Sequence, residues 1–183
     1  RCAAALPSFE EARAVYVNTG LLRDLLLAFK YGGAVHLAGS FAQMMAEAVL
    51  GNPHWFGGKK RLIVPVPMHR GKQARRGYQA QELAVLLGEE LGWPYAGVLK
   101  RLPDTLPQAS LSREQRLRHA RKIYAADEKR MKRSPVRGRD VLLVDDVFTT
   151  GATADSCARL LLRSGAASVC VLTLARTHHA WRG

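Results

Sequence analysis

The sequence predicts an α/β protein in which a central parallel sheet is flanked by helices. Three mainly apolar runs, at residues 62–67, 141–144 and 168–174, are typical of strands buried on both faces of a parallel sheet. The first two runs are followed by stretches in which apolar residues repeat at helical spacing, at 80–91 and 154–162. Buried strands that alternate with amphipathic helices are the pattern of a parallel α/β sheet.

The N-terminal third of the chain predicts two further helices. Residues 1–19 show no firm periodicity, and we interpret them as the remnant of an upstream region. A stripe of apolar residues predicts a helix over 21–29, which the glycines at 32–33 end, and a second helix is expected over 37–48. Lys30 could reach a phosphate from the end of the first helix, but the interpretation that we favour is a solvated lysine.

Length and composition fit one globular domain, which we take to be residues 1–183. The formal net charge of +13 indicates a surface that attracts polyanions, without choosing between nucleic acid, anionic metabolites and acidic membranes. The three cysteines are an odd number, which argues against a disulfide framework and favours the cytoplasm, and we expect Cys157 and Cys170 to be core residues. The apolar runs are too short to span a membrane.

The strongest chemical signal lies where the run at 141–144 ends. Two adjacent carboxylates, Asp145 and Asp146, come directly after it, and a helix begins after the loop that follows them. That loop offers three hydroxyls, a glycine and the unpaired amides of a helix start. The loop residues are Thr149, Thr150, Gly151, Ala152 and Thr153. Amides at a helix start bind anions, and ionised carboxylates accept hydrogen bonds from hydroxyls, so the pair predicts a site for a sugar phosphate.

This segment has two alternative interpretations. A buried strand followed by chance acids and a helix N-cap would show the same letters. A Walker B strand would also place an acid here, but the sequence has no Gly-x-x-x-x-Gly-Lys-[Ser/Thr] motif, so we exclude it.

The segment from Val141 to Ala154 resembles the phosphoribosyl pyrophosphate signature of type I phosphoribosyltransferases. The shared features are a hydrophobic strand, two acids, two hydrophobic residues and Thr-Thr-Gly-x-Thr, and Phe148 is bulkier than the common choice. The resemblance implies the type I phosphoribosyltransferase fold, a central parallel sheet flanked by helices with a small hood or flexible loop. It also implies phosphoribosyl pyrophosphate and Mg²⁺ as ligands. Asp145 and Asp146 would act on the ribose hydroxyls and the metal, and the Thr149–Thr153 loop would bind the 5′-phosphate.

A second resemblance covers most of the chain. The run Pro65-Val66-Pro67 leads into a basic turn with Arg75, Arg76, Gly77 and Tyr78, and this pattern is similar to that of the ComF competence family, a branch of the phosphoribosyltransferases. Leu-Leu-x-x-Phe-Lys-Tyr at 25–31 also resembles the N-terminal helix of that family. Because ligands of open α/β sheets bind where strands end, we expect Arg75, Arg76 and Gly77 to bind the pyrophosphate.

Residues 98–125 form the expected hood or flexible loop. The segment is polar and basic, and its spacing resembles the hood loop of ComF proteins. The residues that carry this resemblance are Arg101, Thr105, Gln108, Arg113 and Arg116. A solvated basic loop is the alternative interpretation.

A cluster of basic residues precedes the signature strand, and we predict it as a nucleic-acid patch. Its members are Lys129, Arg130, Lys132 and Arg133. A solvated charged run would look the same. Many ComF proteins carry a four-cysteine zinc module ahead of the transferase domain, whereas Cys2 alone cannot hold a structural zinc, so we expect no zinc in this chain.

Two functions therefore remain open. The first is an enzyme that transfers phosphoribosyl to an unknown acceptor and releases pyrophosphate. The second is a non-catalytic accessory protein of DNA uptake that senses phosphoribosyl pyrophosphate and binds single-stranded DNA. The ComF resemblance implies that its partners would include a competence helicase or DNA-processing protein.

Overall fold

A computed structural model describes residues 6–68, 79–102 and 123–177. Among these residues, β1 (Glu11–Val17), β2 (Leu62–Pro65), β5 (Asp140–Phe148) and β6 (Ser168–Arg176) form a parallel sheet in the order β1-β6-β5-β2. A small antiparallel pair, β3 (Leu99–Arg101) and β4 (Tyr124–Ala126), lies at the two ends of the predicted hood. The expected parallel sheet is confirmed.

Helices cover both faces of the sheet. The described helices are α1 (Gly20–Tyr31), α2 (Leu37–Gly51), α3 (Gln79–Leu91), α4 (Glu128–Arg133) and α5 (Ala152–Arg163). The first three pack on one face, against the side chains of Leu142, Val144 and Leu172. α5 packs on the other face, against Leu143 and Val171. Successive strand residues alternate between two apolar layers, which is why β2, residues 141–144 of β5 and residues 169–172 of β6 are apolar.

Two local assignments differ from the sequence-based expectation. Residues 11–17, to which we assigned no element, form β1, which pairs with β6 at the edge of the sheet. Most of its side chains are only half-buried, so the sequence shows no continuous apolar run. The basic residues 128–133 form the short helix α4, whose N-cap is Asp127: its side chain accepts a hydrogen bond from the Arg130 amide.

Helix α5 covers the predicted helical stretch at 154–162 but begins two residues earlier, so Ala152 and Thr153 of the predicted loop form its first turn. Gly151 precedes it in the left-handed conformation, with φ 77°, and Gly165 follows it with φ 93°. Glycine adopts this conformation at little cost because it has no Cβ. Cys157 and Cys170 are buried free thiols, as expected.

One buried arginine connects the amino ends of three strands. Arg61 is 6% exposed, and its guanidinium donates hydrogen bonds to the carbonyl of Phe56, at 2.9 and 3.1 Å, and to the hydroxyl of Ser168, at 2.8 Å. The Ser168 hydroxyl in turn donates to Asp140 at 2.6 Å. Arg61 therefore holds the start of β2 against the starts of β5 and β6.

We expect Arg61→Met to lower the free energy of unfolding by about 2–4 kcal/mol, because it leaves a buried carbonyl and hydroxyl without their donor. Urea unfolding would measure the change. The matched control is Lys59→Met, an exposed neighbour that should change stability by less than about 0.5 kcal/mol. Equal effects of the two variants would contradict this role of Arg61.

Candidate functional site

The carboxyl edge of the sheet forms an open cavity of about 230 Å³. β2 ends at Pro65, opposite Val144, whereas β5 continues along β6 as far as Phe148. The last residues of β5 therefore extend beyond the end of β2, and Asp145 and Asp146 both line the cavity. Val66, Pro67 and Met68, which follow β2, line it as well.

Asp145 and Asp146 have different partners. The backbone amide of Asp146 donates to Asp145 Oδ1 at 2.9 Å. Asp146 Oδ2 lies 2.9 Å from the ammonium of Lys30, with the two side chains only 13% and 24% exposed. Burial, with the neighbouring Asp146 charge, raises the pKa of Asp145 to about 8, against the opposing effects of the Asp146 amide and Lys30. The site thus holds one carboxylate that is paired with a cation and one that favours its protonated form.

The Thr149–Thr153 loop joins this edge to helix α5. The first intrahelical bond recorded at the start of α5 runs from the Asp155 amide to the Gly151 carbonyl, at 2.8 Å. The amides of Ala152, Thr153 and Ala154 precede it, and the first amides of a helix have no intrahelical acceptor. Thr153 lines the same cavity as the two carboxylates. Thr149, Gly151 and Thr153 also line a smaller hollow of about 30 Å³ beside Asp145.

The hood strands approach the site through two side chains. Arg101, in β3, and Tyr124, in β4, both line the cavity, and the Arg101 guanidinium lies 5.9 Å from the centre of the Tyr124 ring. Burial raises the pKa of Tyr124, although a hydrogen bond with Thr153 opposes this. The neutral phenol therefore connects the hood to the Thr149–Thr153 loop. Chemically, the cavity offers carboxylates for hydroxyls, amides for a phosphate, and the cations of Lys30 and Arg101 for further negative charge.

Comparison with known proteins gives the family of this chain. A model of the phosphoribosyl transferase domain matches residues 78–182. The DNA utilization protein YhgH of Salmonella typhimurium is 31% identical over 180 residues, which are 97% of this chain and 77% of that protein. The competence protein ComFC of Bacillus subtilis is 29% identical over 166 residues, which are 90% of this chain and 64% of that protein. The chain belongs to the ComF family of type I phosphoribosyltransferases.

Solved structures support the fold of this ComF protein. The allosteric regulatory enzyme of purine biosynthesis matches with a TM-score of 0.53 and 21% identity, over 81% of this chain and 30% of that chain. A glutamine phosphoribosylpyrophosphate amidotransferase from B. subtilis, complexed with ADP and GMP, matches with a TM-score of 0.52 and 20% identity, over the same shares. At this identity the likeness shows the fold alone. The predicted type I phosphoribosyltransferase fold is confirmed.

The structure brings several of the predicted site residues of this ComF protein together. Asp145, Asp146, Thr153 and Arg101 line one cavity, and Thr149 and Gly151 lie directly beside it. Thr150 and Ala152 are exposed on the loop. The other predicted ligand contacts lie outside the described residues: Arg75, Arg76, Gly77, Thr105, Gln108, Arg113 and Arg116. Within residues 6–68, 79–102 and 123–177, no helix is both long enough and apolar enough to cross a membrane.

Two expectations about this site were wrong. We expected the strand to end with the apolar run at 141–144, so that the acids would follow it. Instead β5 includes both, because β6 continues the hydrogen-bond ladder beside them, and they share the cavity because they lie past the end of β2. Lys30 is not a solvated lysine: it forms an ion pair inside the site. The available signal was its place in Phe29-Lys30-Tyr31, just before two glycines.

We expect Asp145→Asn to stabilise the unliganded, metal-free protein. The folded carboxyl keeps its proton up to about pH 8, whereas an unfolded one loses it near pH 4, so the folded state binds more protons in this interval. Stability of the wild-type protein therefore falls as the pH rises from 4 to 8, and the variant lacks this loss. At pH 8 the free energy of unfolding of the variant should exceed that of the wild type by at least about 1 kcal/mol, which corresponds to a Tm higher by about 2–4 °C.

Calorimetry at several pH values would measure this difference. Asp24→Asn, on the exposed side of α1, is the matched control and should not give this gain in stability at pH 8. A variant at Asp145 that is no more stable than the wild type at pH 8 would show that this carboxylate is not destabilised by its surroundings.

Proposed function

We propose that this ComF protein binds phosphoribosyl pyrophosphate with Mg²⁺ and transfers the phosphoribosyl group to an acceptor, with release of pyrophosphate. The observation that carries the proposal is the cavity that Asp145 and Asp146 share with Thr153, together with the smaller hollow that other residues of the Thr149–Thr153 loop line beside Asp145. A ribose phosphate needs acceptors for its hydroxyls and donors for its phosphate, and these two groups lie side by side here. The names of the relatives, a competence protein and DNA utilization proteins, support a link to DNA uptake.

In this proposal the 5′-phosphate binds at the start of α5. The amides of Ala152 and Thr153 and the Thr153 hydroxyl supply hydrogen-bond donors, and the helix dipole adds about 0.3–1 kcal/mol. Asp145 and Asp146 accept hydrogen bonds from the ribose hydroxyls. Asp145 becomes ionised when ligand hydroxyls and cations replace its present surroundings, since both favour the charged form.

The residues present fit a magnesium ion. Mg²⁺ binds oxygen ligands, commonly one or two carboxylates together with waters and substrate phosphates. Asp145 and Asp146 would hold it mainly through ligand hydroxyls and water, and the ion would neutralise charge on the pyrophosphate. Lys30 and Arg101 supply further positive charge in the same cavity, and the Arg75-Arg76-Gly77 turn follows the strand that leads into it.

The proposed reaction breaks the bond between C1 of the ribose and the pyrophosphate oxygen. Pyrophosphate leaves with the electron pair, and the sugar passes through an oxocarbenium-like state before the acceptor forms its bond to C1. The two carboxylates stabilise the positive charge that develops on the ring. A cytoplasmic location is part of the proposal, since Cys157 and Cys170 are free thiols.

Pyrophosphate release tests this function. The wild-type protein with phosphoribosyl pyrophosphate, Mg²⁺ and a panel of bases and amines should release pyrophosphate. We expect Asp146→Asn to lower the rate at least about 100-fold, because it removes charge stabilisation at the reacting carbon. Asp24→Asn is the control. Tight ligand binding without release from any acceptor would contradict turnover, and the absence of ligand binding would contradict the site itself.

Helix α4 supports a second function, binding of single-stranded DNA. Lys129, Lys132 and Arg133 project from a helix that has no buried residue. Arg130, the fourth member of the predicted patch, instead donates to the Gly97 carbonyl at 3.1 Å and lies 3.7 Å from Asp127. It therefore anchors α4 to the chain before β3, and three of the four residues remain as candidate phosphate contacts.

Salt dependence tests this surface. The slope to measure is that of the logarithm of the DNA-binding constant against the logarithm of the salt concentration. Replacing Lys129, Lys132 and Arg133 together by Gln should make this slope shallower by up to about 2, since each phosphate contact on a single strand contributes about 0.7. The matched control replaces Arg23, Lys59 and Lys60, three exposed residues elsewhere, by Gln. Equal slopes for the two triple variants would exclude α4 as the DNA surface.

A further inference from the structure

The Thr149–Thr153 loop takes its shape from the aromatic ring beneath it. Thr149 and Thr150 are exposed, and the hydrogen bond from the Ala152 amide to the Thr150 hydroxyl is long, at 3.4 Å. The Phe148 ring packs directly against Gly151, because a Cβ built on that glycine would lie only 2.8 Å from Phe148 Cζ. The position of this ring therefore determines where the backbone of the loop can lie.

The Phe148 ring is held by a residue from the N-terminal segment. Phe9 meets it edge to face, with ring centres 6.3 Å apart and planes at 85°. Both rings pack against the apolar cluster between the sheet and α5. An edge-to-face pair adds attraction beyond simple burial, and it fixes the relative orientation of the two rings.

Ser8, the residue before Phe9, contacts the other side of the loop. The Ser8 amide donates to Asp155 Oδ1 at 2.7 Å, and Asp155 Oδ2 accepts from Arg159 at 2.6 Å. Partial burial of Asp155 would raise its pKa, but the bonds from Ser8 and Arg159 outweigh this and leave the pKa below its usual value. Asp155 lies in the first turn of α5, whose first helical bond runs from the Asp155 amide to the Gly151 carbonyl. Ser8 is therefore connected to the loop through the Asp155 side chain.

The N-terminal segment is itself anchored to the sheet. The Glu10 amide donates to the Val169 carbonyl at 2.9 Å, and β1 follows directly. Ser8 and Phe9 thus extend from a fixed strand and contact the loop region at two points, at Asp155 and at Phe148.

We propose that Ser8 and Phe9 are positioning residues that hold the Thr149–Thr153 loop in its phosphate-binding shape before a ligand arrives. The inference rests on the proposed function, because it assigns the loop to the 5′-phosphate. A loop that is already ordered loses less entropy on binding, so the contacts raise affinity without touching the ligand. Loss of the Phe9 contact should weaken ribose 5-phosphate binding about 3- to 10-fold.

Hydrogen exchange on the unliganded protein tests the positioning itself. In Phe9→Ala, we expect about 10-fold faster exchange of two amides, Asp155, which bonds to the Gly151 carbonyl, and Thr177, which bonds to the Phe148 carbonyl at 3.0 Å. Amides at the far end of α5 should not change. Phe9→Tyr keeps the ring and should restore the wild-type rates, and Leu6→Ala, at a residue that is 90% exposed, is the control in the same segment.

Titration with ribose 5-phosphate then tests the consequence. Phe9→Ala should weaken binding 3- to 10-fold, and Asp155→Ala, which removes the acceptor of the Ser8 amide, should act in the same direction. Unchanged exchange at Asp155 and Thr177, or faster exchange spread evenly over the whole sheet, would overturn the proposal. If exchange changes as expected while the wild-type protein binds no ribose 5-phosphate, the positioning of the loop stands and the proposed function fails.

Discussion

Two adjacent carboxylates at one strand end are the constraint on which the rest of this site depends. Asp145 and Asp146 lie past the end of β2, where β5 is still paired with β6, so the same cavity takes both. Like charges this close disfavour each other, and the protein compensates only one of them, through Lys30. Ionisation of Asp145 beside Asp146 is therefore unfavourable, and ligand hydroxyls and a cation would make it more favourable. Such a perturbed acid in a cleft is typical of functional sites.

Residues that precede the matched domain belong to this site as much as β5 does. The phosphoribosyl transferase domain model matches residues 78–182, yet Lys30 and Phe9 come from before that region. Lys30 reaches the cavity from the end of α1, and Phe9 supports the loop through Phe148. The matched part contains the two acids and the first amides of α5, whereas the preceding part contributes the Lys30 ammonium and the Phe9 ring.

The basic residues of the chain have two kinds of role: some bond to the protein itself, and others face solvent. Arg61 and Arg130 use their guanidinium groups on carbonyls of the protein itself, whereas the other basic residues of α4 face outward. A net charge of +13 thus overstates the surface that is available to a polyanion. Arginine suits the internal role because its planar fork can bond several acceptors at once.

The sequence alone determined the elements whose signals are local. Apolar runs identified β2, β5 and β6, and helical spacing identified α1, α2, α3 and α5. The acids and the hydroxyl-rich loop predicted the candidate site. Only the tertiary structure showed that β1 completes the sheet, because a half-buried edge strand has no continuous apolar pattern. It also decided that Lys30 faces Asp146, that Arg130 donates to the Gly97 carbonyl and that Phe9 packs against Phe148. These contacts join residues far apart in the chain, and the packing of whole elements creates them, so no local spacing predicts them.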